Sequence, residues 1–168
     1  MYVISDEMWN SVDIYGLQDE IDRFKRLCIV EGPANDWESN THSIDFSQAG
    51  ADYVDAWNFR ELGTQERGMY SFAFDTGWHF PTDTFESLAT LFPKLAFDCA
   101  CIADDDRSMG YGWFNTPPGG ENFQDNYDVP EGYWDDGGGE KRTPEALKRH
   151  RAVIAALKRS QHEADNDR

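Results

Sequence analysis

Met69-Tyr70-Ser71-Phe72-Ala73-Phe74-Asp75-Thr76-Gly77-Trp78 decides the fold. Tyr70, Phe72, Phe74 and Thr76 fall on one side of an extended chain, and Ser71, Ala73, Asp75 and Gly77 on the other. That period of two marks a strand with one buried face. Pro81 breaks the pattern. Thr82 or Asp83 is then placed to cap a helix, with Asp83 and Glu86 at capping-box spacing. Phe85, Leu88, Ala89 and Phe92 form the helix's apolar stripe, and Pro93 ends it. From residue 95 to 102 alternation returns, with Leu95, Phe97, Cys99 and Cys101 on one face. The unit is strand, helix, strand.

The same unit reads out on the N-terminal side. Val12 and Ile14 share a face in residues 10–15, a short half-buried strand that Gly16 ends. Leu17, Ile21, Phe24, Leu27 and Cys28 recur at helical spacing, which predicts an amphipathic helix over 17–29. Gly32-Pro33 stops it, and residues 32–43 are polar and expected to loop. Ser43-Ile44-Asp45-Phe46-Ser47 alternates and is expected to be a second strand. Residues 48–68 hold Tyr53, Trp57 and Phe59 without a clear period.

Toward the C-terminus, Asp104-Asp105-Asp106 marks a turn, and Met109-Gly110-Tyr111-Gly112-Trp113-Phe114 the returning strand of a hairpin. Residues 116–141 are acidic and rich in Gly and Pro, and are expected to form a long loop. Thr143-Pro144-Glu145 starts a helix that runs to about residue 163, with Leu147, Ile154 and Leu157 on its apolar side and a basic exposed face. Two strand–helix–strand units in series predict an α+β, ferredoxin-like antiparallel sheet of four or five strands, with two helices on one face and a C-terminal helix added. The expected division is residues 1–115 as the ferredoxin-like domain, 116–141 as acidic loop and 142–168 as basic helix.

The chain of 168 residues is long enough for one ordinary core. Aromatics make up 14% of it, which argues for packing rather than disorder. Charge is the outstanding feature: 15 basic against 32 acidic side chains, a net −17. It is unevenly spread. Residues 1–139 carry 7 basic and 27 acidic side chains, and residues 140–168 carry 8 basic and 5 acidic. So negative a body repels nucleic acid and anionic membrane and attracts basic proteins; acidity also serves solubility. An odd cysteine count, no basic-then-apolar leader and no apolar run of spanning length point to a reducing cytoplasm.

Several positions together carry a resemblance. They are Trp57, Gly63-Thr64, Ser71-Phe72-Ala73-Phe74-Asp75-Thr76 with Trp78 and Pro81, Leu91-Phe92-Pro93-Lys94-Leu95-Ala96-Phe97, and Gly110 with Gly112. The opening Asn10-Ser11-Val12 and Ile21-Asp22-Arg23-Phe24 add to them. Over about two-thirds of its length the chain resembles the YubB-type ferredoxin-like domain family of plasmids and phages. It departs from that family at Leu62-Gly63-Thr64-Gln65-Glu66, which lacks the family's Trp-Gly-Thr-Lys-Trp run, and at Ile102-Ala103-Asp104-Asp105-Asp106, which replaces a Tyr-x-Glu-Pro-Gly segment. The resemblance implies a fold and a mobile-element origin, and no catalytic residues.

Chemistry leaves few marks. Three cysteines, Cys28, Cys99 and Cys101, cannot supply the four thiolates of an iron–sulfur cluster. Cys99 and Cys101 are expected in the core rather than on zinc. His42, His79, His150 and His162 are scattered, and neither a nucleophile elbow nor a phosphate-binding Gly motif is present. Gly110-Tyr111-Gly112 enters a strand, not a helix, and three consecutive acids do not make a calcium loop. Trp57, Trp78 and Trp113 are expected in the core. No cofactor, resident metal or enzymatic activity is expected.

The functional expectation is an acidic accessory protein that occupies the basic surface of a nucleic-acid-binding protein by imitating nucleic acid. CRISPR–Cas and restriction complexes are the kind of defence machinery it would inhibit. Its expected binding residues are Asp104, Asp105 and Asp106, then Asp125, Asp128 and Glu131, and Trp134 as an aromatic anchor beside Asp135 and Asp136. The alternatives are an unrecognised metal-dependent enzyme and a self-associating regulatory module. In the latter, the C-terminal helix contacts nucleic acid, bridges two copies or folds back on the acidic body.

Overall fold

The strand expected at 69–78 is present as Met69–Gly77 and lies inside a six-stranded sheet of the computed structural model, which describes residues 7–63, 66–103, 108–116, 120–129, 131–133, 135 and 144–166. In chain order the elements begin β1 (Glu7–Gly16), α1 (Gln18–Cys28), β2 (Ile29–Glu31), β3 (His42–Ile44) and a 3-10 turn over Phe46–Ala49. They continue β4 (Ala56–Glu61), β5 (Met69–Gly77), α2 (Thr82–Leu91), β6 (Leu95–Ala103), β7 (Ser108–Thr116), β8 (Glu121–Asp128) and α3 (Pro144–Asn166). The sheet order is β4-β5-β1-β6-β7-β8, and every neighbouring pair is antiparallel. β2 and β3 form a separate ribbon. The fold is α+β.

Strand alternation sorts side chains onto two faces, and a helix layer covers part of each. On one face Val12, Ile14, Phe72, Phe74 and Phe97 meet Ile21 and Phe24 of α1 and Phe85 and Leu88 of α2. Phe85 is the centre of this core. Its ring lies 5.3 Å from Phe46, 5.0 Å from Phe80, 5.9 Å from Phe97 and 5.8 Å from Phe114. On the other face Tyr15, Ala96 and Trp113 meet Leu157 of α3, with Val153 and Ile154 packed alongside. The expected pair of helices on one face is therefore joined by a third on the opposite face.

Close packing between β1 and β6 needs Gly16. A Cβ there would stand 2.6 Å from the Lys94 carbonyl oxygen, while the Gly16 N–H donates to Gly68 O at 3.1 Å. Buried Asn115, at φ 67, closes the C-terminus of α2: its Nδ2 donates to Ala89 O at 3.3 Å, Phe92 O at 3.2 Å and Leu95 O at 2.8 Å. Ala89 O is one of the carbonyls that a helix end leaves unpaired, and the other two lie in the chain between α2 and the start of β6.

Four readings change. The strand expected at 43–47 stops at Ile44, because the Asp45 carboxylate accepts from Ser47 N–H at 3.0 Å and Ser47 Oγ–H at 2.6 Å and turns the chain into the 3-10 segment. The helix at 82 has Pro81 at its cap position with no side-chain cap, so the capping box is not formed. β4 occupies part of the stretch without a period. Residues 121–128 of the expected loop form β8, which raises the sheet to six strands. No helix among the described residues is long and apolar enough to cross a membrane.

Two titrations follow. Burial pushes the Cys28 thiol up to about 12, helped by the nearby Asp45 charge. Burial also raises the Asp45 carboxyl, but the hydrogen bonds from Ser47 and Gln48 outweigh it and leave the group below the ordinary carboxylate range. A depressed carboxyl stabilises above its unfolded pKa and loses that contribution as pH falls through the folded value. A raised thiol works the other way: above pH 9.0 the unfolded chain ionises while native Cys28 keeps its proton, so stability falls as pH rises toward 12. We predict that Cys28→Ala flattens the alkaline limb of the urea-unfolding midpoint and Asp45→Asn the acid limb. We also predict that native protein leaves Cys28 unreacted with a thiol reagent, whereas unfolding releases it. Rapid native labelling of Cys28, or limbs unchanged in the variants, would contradict this.

Candidate functional site

A cleft of about 660 Å³ opens at the end of the sheet where β1 begins and β6 ends. Its walls come from three connections. The segment after the 3-10 turn brings Asp52 and Tyr53; the β5–α2 connection brings Trp78, His79 and Phe80; the first turn of α2 brings Thr82 and Asp83. Met8, Cys101, Ser108 and Asn126 complete it from the sheet.

Trp78 is the unusual side chain. Its φ is 63, a left-handed conformation that bulky residues rarely adopt, and it is 69% exposed. The surrounding turn is over-determined, which is what lets such a conformation persist. His79 N–H donates to Gly77 O at 2.6 Å, and Thr76 Oγ–H donates to His79 O at 2.8 Å. Buried Asn10 in turn donates from Nδ2 to Thr76 Oγ1 at 3.1 Å and Phe74 O at 3.2 Å. Tyr53, on the same cleft, is 71% exposed. Two large aromatic rings thus stand in solvent beside the carboxylates of Asp52 and Asp83, and no Lys or Arg lines the cleft among the described residues.

The floor continues as a shallow groove under β7 and β8, about 20 Å³, too small for more than a water. Gly110 and Gly112 shape it: a Cβ on Gly110 would meet Asn126 Oδ1 at 2.5 Å, and one on Gly112 would meet Phe123 O at 3.1 Å. Cys99 and Cys101 lie under it, buried as expected. Among the described residues, no three His, Cys, Asp or Glu side chains group as a metal would require.

The structure describes four of the nine residues expected to bind a partner. Asp125 and Asp128 are exposed on β8, an edge strand, and Glu131 and Asp135 are exposed beyond it. None of these four carboxylates is in an ion pair with a described residue. Asp128 is the cross-strand neighbour of Ser108, which puts it beside the cleft. Asp104, Asp105, Asp106, Trp134 and Asp136 lie outside the described residues. Trp113 is core as expected, 1% exposed, but Trp78 is not: the left-handed turn carries it off the sheet's buried face. Asp52, Tyr53 and His79 carry no binding signal in the sequence, and Asp83 reads there as a helix-start residue, not as part of a site. Trp78 reads as the last residue of the strand at 69–78 and as core, so the sequence does not mark it for the cleft.

The basic helix folds back on the acidic body. The Arg149 guanidinium sits 3.7 Å from the centre of the Phe123 ring, and His150 Nδ1 lies 3.4 Å from Asp98 Oδ2 while its ring is 5.4 Å from Trp113. Lys148, Arg151, Lys158 and Arg159 stay exposed.

Comparison with known proteins finds no matching family model, no matching curated protein and no matching solved structure.

Proposed function

We propose that this protein is a binding protein whose partner presents a basic, nucleic-acid-binding surface, and that its exposed carboxylates take the place of phosphates there. One observation carries the reading. Residues 108–140 contain no Lys or Arg and seven acids, and the described acids among them stand exposed along and beyond an edge strand. Charged edge residues also keep sheet edges from pairing. That role needs one or two charges, not a whole strand and the segment after it. Exposed carboxylates on a sheet edge speed association with a basic groove and make it salt-sensitive.

The strand order β4-β5-β1-β6, with α1 and α2 in the two crossovers on one face, supports a ferredoxin-like core extended at one edge by β7 and β8. With the YubB-type resemblance, this favours a mobile-element accessory protein directed at nucleic-acid-handling defence machinery such as a CRISPR–Cas or restriction complex.

The test is capture of proteins from a bacterial lysate at low and high salt, with native protein and with Asp125, Asp128, Glu131 and Asp135 all changed to Lys. Basic nucleic-acid-binding proteins should be held by the native chain, released by salt and lost with the variant. Equal capture by the two would end the reading.

A further inference from the structure

The cleft beside the acidic edge has a more specific chemistry than charge alone. Resting on the binding reading above, we infer that it receives an arginine side chain of the partner, stacked on Trp78 and Tyr53 and faced by the carboxylates of Asp52 and Asp83.

Two observations converge, and the chemistry of the two cations then selects arginine over lysine. First, two of the largest side chains in the chain are about 70% exposed on one cleft, 69% for Trp78 and 71% for Tyr53. Exposed aromatics grouped in a concavity mark a contact surface. Second, the cleft is lined by Asp52 and Asp83 and by no described Lys or Arg, in a chain of net −17. A cation over an aromatic face beside carboxylates gains from both. A guanidinium is flat, stacks on rings and is weakly hydrated, whereas an ammonium is a compact, strongly hydrated point charge.

The competing occupant is an anion, since the α2 N-terminus opens on the same cleft without a side-chain cap. Asp83 in the first turn already meets the positive end of that helix. A phosphate would also approach Asp52. Cation binding wins on charge.

The probes are a short arginine-only peptide, a lysine-only peptide of the same length, and inorganic phosphate, titrated against the full chain. The readouts are calorimetry and the side-chain NMR signals of Trp78 and His79. The arginine peptide should bind about tenfold tighter than the lysine peptide, the scale of one desolvated cation–aromatic contact. It should also shift the Trp78 and His79 signals. In Trp78→Gly and in Tyr53→Ala that preference should vanish, while salt-sensitive binding of the lysine peptide to the acidic edge remains. Glycine accepts φ 63 without strain, so Trp78→Gly keeps the fold, and its urea midpoint verifies this.

Equal affinity for the two peptides, an arginine preference that survives both substitutions, or phosphate binding at the Trp78 and His79 signals would overturn the inference. In the first two cases salt-sensitive binding of both peptides leaves the acidic-edge reading standing. If neither peptide binds, both readings fall together.

Discussion

Phe85→Ala should cost about 3–5 kcal/mol, the range for removing a buried aromatic ring, and show as a large fall in the urea midpoint. Phe85 is fully buried, and its ring packs against the 3-10 segment through Phe46, the sheet through Phe97 and Phe114, and the cleft wall through Phe80. Its neighbours belong to separate elements, so no single rotamer change can fill the hole. Domain stabilities run at about 5–15 kcal/mol, so the variant stands near the threshold of unfolding at body temperature. Trp37→Ala is the control. Trp37 is equally aromatic but 69% exposed, and its loss should stay within about 0.5 kcal/mol. A Phe85→Ala loss no larger than the control's would mean that α2 does not seal the core as described.

Leu157→Asp should release α3 without unfolding the sheet. Leu157 is 4% exposed and is the buried α3 residue of the second core, against Tyr15, Ala96 and Trp113. Its removal forfeits about 2–5 kcal/mol on the scale of Leu→Ala changes, and the new carboxylate meets no buried Lys or Arg among the described residues. The first core is untouched, since its residues lie on the other face of the sheet. Trypsin should therefore cut after Arg149, Arg151 and Lys158 about a hundredfold faster or more, because cleavage follows the population of the undocked helix. The far-ultraviolet signal of the sheet should persist, and Trp113 fluorescence should shift to the red. Unchanged resistance to trypsin would mean that the Arg149–Phe123 and His150–Asp98 contacts suffice to hold α3.

The sequence is most legible where large apolar side chains crowd one face of an element. β5, β6 and α2 are legible because large apolar residues line one face of each while small or polar ones line the other, although β6 is buried on both faces. β8 shows no such contrast: nearly all of Glu121-Asn122-Phe123-Gln124-Asp125-Asn126-Tyr127-Asp128 faces solvent, and only Phe123 and Tyr127 are half-buried. What makes it a strand is its ladder to β7, which is tertiary information. β4 hides for another reason. A register shift between Trp57 and Arg60, with Asn58 at φ 55, breaks the period, so buried Ala56 and Phe59 are three residues apart. The cleft is least legible. Tyr53 and Trp78 come from separate connections and meet only through the fold. Charge runs say how many carboxylates a segment holds and not which ring stands beside them.

The place of β1 between β5 and β6 has a kinetic consequence. Glu7 pairs with Gly77 and Met8 with Ala103, so β1 waits for partners synthesised far later. Separations of this size raise contact order, and folding slows because the loop must close before its contacts form. On the ribosome, the apolar stripe of α1 therefore emerges with no sheet to cover it. That interval is when a nascent chain of this topology depends most on a chaperone.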